Sequence, residues 1–334
     1  MWQFACRRQA AYLSRLAGEP PPWSRDQILQ DYRFTNAYRA ADRVSQAMIR
    51  IAHGSRNETP ETRLYRTLLF KVFNRTQTWA RLTDAVGPPA WEDRSSLDGV
   101  REVLDGLHAR REQLYSGAYV MPTGARGQPK HQWHLEMVRQ ILERGSARRI
   151  EEASSLEATY RTLREQEGLG DFLAFQFAID VHYGAGARTD EARYVVAGPG
   201  ALDGLSKCFT DLGDYGPADT ILWMTDRQGA DLDAQPEPWH DLFGRPLQPI
   251  DTQNMLCEVS KYTRVSHPDV AGKSGRTRMK RRYTPGPPLA EPVFPEHWGI
   301  QENVARWRDE HHAEPSLWTL TMPDAGRNDQ GAGL

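Results

Sequence analysis

Arg39, Asp42 and Arg43 stand three and four residues apart in the run Arg33 to Arg43, RFTNAYRAADR. On a helix that spacing places all three on one face. Two guanidinium groups there can hold a multiply charged anion, and the carboxylate can fix their geometry or take a proton. An intrahelical salt-bridge face uses the same spacing, and the residues alone leave both readings open. A second group lies in Asp251 to Tyr262, DTQNMLCEVSKY. Gln253 and Asn254 carry the amide groups that can read the hydrogen-bonding edge of a base. Glu258 and Lys261, three apart, can be an ion pair or an acid and base couple, and a solvated face backed by Met255, Leu256, Val259 and Tyr262 is the plainer alternative.

A third feature needs no charged side chain. Leu163 to Gly184, LREQEGLGDFLAFQFAIDVHYG, reads as a helix, a tight Gly168-Leu169-Gly170 turn and an apolar second helix. Two glycines around one apolar residue let backbone N–H groups point outward at a helix N-terminus, where a DNA phosphate can bind. A purely structural turn has the same sequence.

Other patterns carry less. Gly272-Lys273-Ser274 copies the end of a phosphate-binding loop, but the required first glycine falls at His267 and no strand precedes it. His131 with His134, and His311 with His312, lack a clear set of partner ligands, so no metal is assigned. Cys257 reads as a small buried residue rather than a nucleophile. Trp91 and Trp133 can stack on bases, with core packing the commoner use.

The elements that must position these groups read mainly as helices. Asn36 to Ile51 has Ala41, Val44, Met48 and Ile51 in a helical stripe, with Asn36 placed to cap it. Thr59-Pro60 opens a helix expected to run through LYRTLLFKVFNRTQTWARL. Further helices are expected after Ser95-Ser96, over HQWHLEMVRQILERG, and from Ser154 to Glu165. Ala192 to Val196 and Thr220 to Thr225 are short apolar runs that suit strands or buried helix ends. Asp226 to Ile250 reads as a long connection, and a short helix is expected at Gln301 to Asp309.

Composition narrows the classes. The 334 residues carry 42 Lys+Arg against 44 Asp+Glu, three cysteines and no run of about 20 apolar residues. A membrane span, a disulfide framework and a zinc ribbon are therefore not expected, and the N-terminus lacks the apolar run of a secretory signal. The near-neutral total hides two unlike stretches: Ala201 to Ile250 has nine acids and three bases, whereas KSGRTRMKRRY, Lys273 to Tyr283, has six bases and no acid. That strip can neutralise several phosphates, or be a solvated loop.

The Gly168-Leu169-Gly170 stretch resembles the helix-hairpin-helix element of the DNA glycosylase superfamily. In those enzymes an apolar segment leads into a catalytic Asp; here Tyr194 to Ala197 leads into Gly198-Pro199-Gly200. The missing carboxylate argues against cleavage of the glycosidic bond, with Asp180 and Asp251 as remaining candidates. RFTNAYRAADR, Phe70 to Arg75 (FKVFNR) with Thr78-Trp79, GLGDFLAFQFAID, AGPGALDGLSK and DTQNMLCEVSKY together look like the alpha-glutamyl/putrescinyl thymine pyrophosphorylase group of bacteriophages. The resemblance spans roughly residues 25 to 265.

That resemblance implies a mainly α, DNA glycosylase-like helix-hairpin-helix architecture acting on phage DNA in the host cytoplasm. It implies a transferase that replaces pyrophosphate, installed by a hydroxymethyluracil DNA kinase, with an amine from an amino acid or polyamine. In this scheme Arg39, Arg43 and Lys261 bind phosphate oxygens, and Asp42 or Glu258 takes the amine proton. Gln253 and Asn254, with Phe34, Asn36 and Tyr262, surround the flipped base. The backbone at Gly168, Leu169, Gly170, Gly198 and Gly200, together with Lys207, Lys273, Arg276 and Arg278, holds the DNA. Magnesium carried with the pyrophosphate fits the leaving group. A base-excision glycosylase and a non-catalytic DNA-binding partner of the kinase are the alternatives. The expected division is an N-terminal extension over 1–24, a helical domain over 25–265, a basic Pro/Gly-rich extension over 266–322 and a disordered tail over 323–334.

Overall fold

The computed structural model describes residues 1–53, 58–118, 120–124, 127–185, 189–279 and 281–311, and among these every regular element is helical. The tail expected over 323–334, the last part of the basic extension, and His312 lie outside the described residues. No helix among the described residues is long and apolar enough to cross a membrane.

Within the stretch expected as an N-terminal extension lies α1, Trp2–Leu16, whose Ala5, Cys6, Gln9, Tyr12, Leu13 and Leu16 form a buried helical stripe. The short helix α2, Gln27–Asp31, is capped by the Asp26 carboxylate, which accepts from the Ile28 and Leu29 amides. The helix expected from Asn36 to Ile51 is shorter. A 3-10 turn spans Arg39–Ala41, and α3 is Arg43–Ala52. Asn36 therefore caps nothing, because its amide and side chain are spent inside the preceding loop.

Thr59 does cap α4, Pro60–Phe73, with Pro60 in its first turn. The chain then breaks at Asn74, whose φ of 50° is left-handed, and α5, Thr76–Val86, starts anew. After a 3-10 turn capped by Asp93, α6 is Asp98–Ala109. Next come α7, Lys130–Glu143, and α8, Ser146–Glu151, separated by Gly145 at φ 69°. Ser155 caps α9, Leu156–Arg164, and the Gly168-Leu169-Gly170 turn leads into α10, Asp171–Gly184.

Two helices form the centre. From Ala174 to Gly184 every residue of α10 is buried, as are Leu64 to Phe73 on α4. Each fully buried Leu or Phe contributes about 1.5–3 kcal/mol relative to exposure, so this pair anchors α3, α7, α8 and α9 around it. The polar groups on these helices, Lys71 and Asp180, are thereby carried deep into the protein.

The remaining elements pack about a second long axis. They are α11, Pro199–Cys208; α12, Pro217–Asp226; α13, Gln228–Asp233; and α14, Pro249–Ser266. Thr220 to Thr225 is thus helical, and the stretch expected as one long connection contains α13 and the start of α14. Ala192 to Val196 joins no strand. Helices α11 and α14 meet closely: a Cβ on Gly204 would lie 2.2 Å from the Leu256 carbonyl oxygen, and one on Gly200 2.7 Å from Cys257 Sγ. The Pro/Gly-rich extension returns over the body, and α15, Gln301–His311, docks through Val304.

Candidate functional site

Residues 35–42 form a small stapled loop. The Asn36 amide donates to Asp42 Oδ1 at 2.8 Å, and the Asn36 side chain donates to the Ala41 carbonyl at 2.7 Å. Arg8 on α1 closes it from one side, donating to the Thr35 carbonyl at 2.9 Å and to Asn36 Oδ1. Helix α14 runs along the other. Asp251, Asn254, Glu258 and Lys261 follow one another at spacings of three and four, so they share a face. Asp251 accepts from the Arg39 amide at 2.7 Å, and Glu258, two turns further on, accepts from the Thr35 amide at 3.3 Å. Lys261 caps the row with a 2.5 Å bond to Glu258.

The tertiary fold therefore brings the two sequence-selected segments together around Asp42 and Glu258. Burial pushes the Asp42 carboxyl up to about 6, and Glu258 adds to this, while the Asn36 amide and Arg8 hold it down. A carboxyl of this strength is ionised at neutral pH yet basic enough to accept a proton from a reacting group. Arg8 is lowered by burial and raised by Asp42 and Glu258.

Arg39, Asp42 and Arg43 do not share a helix face. Each sits in a different local structure: the 3-10 turn, the α3 N-cap and the first residue of α3. Arg39 points inward, its Nη2 2.7 Å from Asp180 Oδ1, and Lys71 Nζ lies 2.7 Å from Asp180 Oδ2. Burial raises the Asp180 pKa, but the two cations outweigh it and hold the carboxylate below its usual range. Asp251, beside this group, is pushed up to about 7 by burial, against the amides of Gln248 and Arg39. Arg43 alone of the three is exposed.

The base-reading candidates separate. Phe34 and Tyr262 pack with Phe4, ring centroids 5.3–6.1 Å apart, in a small apolar cluster. The Tyr262 hydroxyl donates to Asp26 at 2.6 Å, and its pKa is pushed to about 12 by burial and by Asp26. Gln253 is buried toward Cys257, its Oε1 without a hydrogen-bond partner among the described residues. Asn254 is half-buried on the Glu258 face. Cys257 is pushed to about 12 by burial, which makes it a poor nucleophile.

Of the DNA-contact candidates, Leu169 is buried and Gly168, at φ 87°, packs on Trp133, whereas Gly170 faces open space. Gly198 packs on the Phe172 ring and Gly200 on Cys257. Lys207 turns inward, its side chain 2% exposed, donating to the Ser260 carbonyl at 2.9 Å. Lys273, Arg276 and Arg278 are exposed on the basic strip. Asp203 clips the start of that strip by accepting from the Ser274 amide at 2.6 Å. His131 and His134 are buried on α7, bonded to Asp105 and to Tyr115.

Sequence reading missed Arg8 and gave no role to Lys71. Lys71 had a signal, a cation amid LLFKVF, as did Asp180 within an apolar helix. Arg8, one of two adjacent arginines in a polar stretch, had none.

A family model described as "5-hmdU DNA kinase, helical domain" matches residues 1–272. The 5-hmdU DNA kinase of Bacillus phage SP10 is 22% identical over 279 residues, covering 77% of this chain and 43% of the phage protein. The chain thus spans less than half the length of that curated relative. These matches do not single out the thymine pyrophosphorylase group. No solved structure matches the chain.

Proposed function

The chain belongs to the 5-hmdU DNA kinase helical-domain family, and from that premise we propose that it acts in phage DNA modification at hydroxymethyluracil, replacing pyrophosphate on the 5-methylene carbon with an amine. One observation carries the reading: Asp42 and Glu258, from distant segments, accept from the adjacent Asn36 and Thr35 amides beside half-buried Arg8, with Asp42 at about 6. Such a pair suits removal of a proton from an amine that has just formed its bond. In the reaction the C–O bond to pyrophosphate breaks and its electron pair leaves with the oxygen. The pyrimidine ring delocalises the resulting deficiency, the amine lone pair forms the C–N bond, and Asp42 takes the N–H proton. Glu258, held by Lys261 and the Thr35 amide, positions the loop that carries Asp42. In this reading α9, the glycine turn and α10 form a glycosylase-like hairpin that binds DNA backbone through the Gly170 side. Host cytoplasm is the expected setting.

Incubating DNA that contains pyrophosphorylated 5-hydroxymethyluracil with the protein and a mixture of amino acids and polyamines tests this. Nucleoside mass analysis is expected to reveal an amine adduct; no adduct with any donor overturns the reading.

The family match favours a second reading, a helical unit that presents DNA to a kinase. The Gly272-Lys273-Ser274 segment gives this chain no phosphate-cradling loop of its own, since it follows no strand and is clipped to α11 by Asp203. DNA binding without adduct, together with a stimulated kinase, would support that alternative.

A further inference from the structure

The basic strip does not trail away from the body. It runs antiparallel to residues 31–33: the Arg33 amide donates to the Arg281 carbonyl at 3.2 Å, and the Tyr283 amide to the Asp31 carbonyl at 2.9 Å. This pairing sets Arg33 beside Arg281. The same loop continues through Asn36, whose amide is bound by Asp42, and Arg43 follows Asp42 directly. Three exposed arginines from two segments therefore border the Asp42 loop.

Arg139, Arg148, Arg149, Arg161, Arg164 and Arg282 each pair with a carboxylate. The guanidinium groups of Arg33, Arg43 and Arg281 make no hydrogen bond or ion pair to another described residue. Arg276 and Arg278 also lack a carboxylate partner among the described residues; Arg33, Arg43 and Arg281 differ in being grouped beside the Asp42 loop. Arg33 is lowered first by burial and then by the charges of Arg43 and Arg281, against the pull of Asp42 and Tyr283. Like charges brought together raise the free energy of the unliganded protein, and a multiply charged anion reverses that cost.

We infer that Arg33, Arg43 and Arg281 form a phosphate clamp at the mouth of the Asp42–Glu258 cluster, taking the place first assigned to Arg39 and Arg43. The inference rests on the reading of that cluster as the reaction site. The phosphate has two possible sources, the pyrophosphate on the modified base and the DNA backbone, and the chemistry of recognition is common to both.

Calorimetric titration of the full chain with inorganic pyrophosphate, and separately with an unmodified 20-base-pair duplex, tests the clamp. The double variant Arg33→Gln/Arg281→Gln is compared with Arg148→Gln/Arg161→Gln, which removes equal charge elsewhere. Loss of charge-assisted bonds is expected to weaken binding about 10-fold or more per arginine, with the control near the native affinity. A loss confined to pyrophosphate assigns the clamp to the leaving group, and a loss confined to duplex assigns it to the backbone; both support a phosphate site. Unchanged affinity for both ligands, or an equal loss in the control, overturns it. Arg33→Lys/Arg281→Lys, which keeps charge without the planar fork, should recover only part of the affinity. Binding does not depend on turnover, so a protein that binds pyrophosphate through the clamp yet yields no amine adduct keeps the clamp and loses the transferase reading.

Discussion

Arg39 and Asp180 form a buried ion pair, Nη2 to Oδ1 2.7 Å, each side chain 7% exposed. Lys71 reaches the other carboxylate oxygen. The pair ties the Arg39–Ala41 turn to the central helix α10, while the Arg39 amide ties the same turn to α14 through Asp251. One residue thus joins both halves of the helical body. Removing it leaves a buried carboxylate with one of its two cations, so Arg39→Ala should cost about 3–5 kcal/mol. Urea denaturation measures this, and pyrophosphate affinity of the folded fraction should stay near that of the native chain. Lost affinity at unchanged stability would return Arg39 to the clamp.

Stability should also report the proton on Asp251. Its folded-state value of about 7 lies above the ordinary 3.8, so the folded protein binds this proton more tightly than the unfolded chain. That contribution is complete below about pH 4 and is lost as pH rises through 7. Asp251→Asn has no such proton and loses one acceptor for the Gln248 and Arg39 amides. Its deficit relative to the native chain should be greatest at acid pH and narrow by on the order of 2 kcal/mol between about pH 5 and pH 8. A gap independent of pH would show that Asp251 ionises normally.

Asp42 makes a kinetic prediction. A base at about 6 is silenced as pH falls below that value. Adduct formation measured as kcat/KM should therefore decline tenfold per pH unit on the acid side of 6. Asp42→Asn should abolish most of the activity and remove that limb, whereas a retained limb would move the base elsewhere.

The glycines of α11 separate packing from DNA contact. An alanine at Gly204 would press on the Leu256 carbonyl, a backbone atom that cannot swing aside. Gly204→Ala should destabilise by about 1–3 kcal/mol. Gly200→Ala, which meets the Cys257 side chain, should cost less. Thermal unfolding ranks the two.

Salt dependence sorts the cations. Arg276→Gln and Arg278→Gln should each lower the slope of log affinity for duplex against log salt by about 1. Lys207→Gln should leave the slope unchanged, because its ammonium is buried against Ser260. A reduced slope for Lys207→Gln would place it on the DNA.

Elements were legible in the sequence where local chemistry decides them. Thr59-Pro60 starts a helix because the hydroxyl satisfies an open amide and proline lacks one. Gly168 turns the chain because it adopts a positive φ at no steric cost. The breaks were less visible. Asn74 takes a left-handed conformation with no glycine to announce it, and Asn36 looks like a cap until its amide is seen bound to Asp42.

The sequence by itself determined the helical class and selected the segments 33–43 and 251–262. Residue type and short-range spacing suffice for that. Only the tertiary structure decided which side chain does what. Arg39 and Arg43 differ by four positions, yet one is neutralised inside by Asp180 and the other is left exposed, its charge bearing on Arg33. Charge pairing depends on distance in space, and Asp180 and Asp251 reach Arg39 from α10 and α14, which no spacing along the chain reveals.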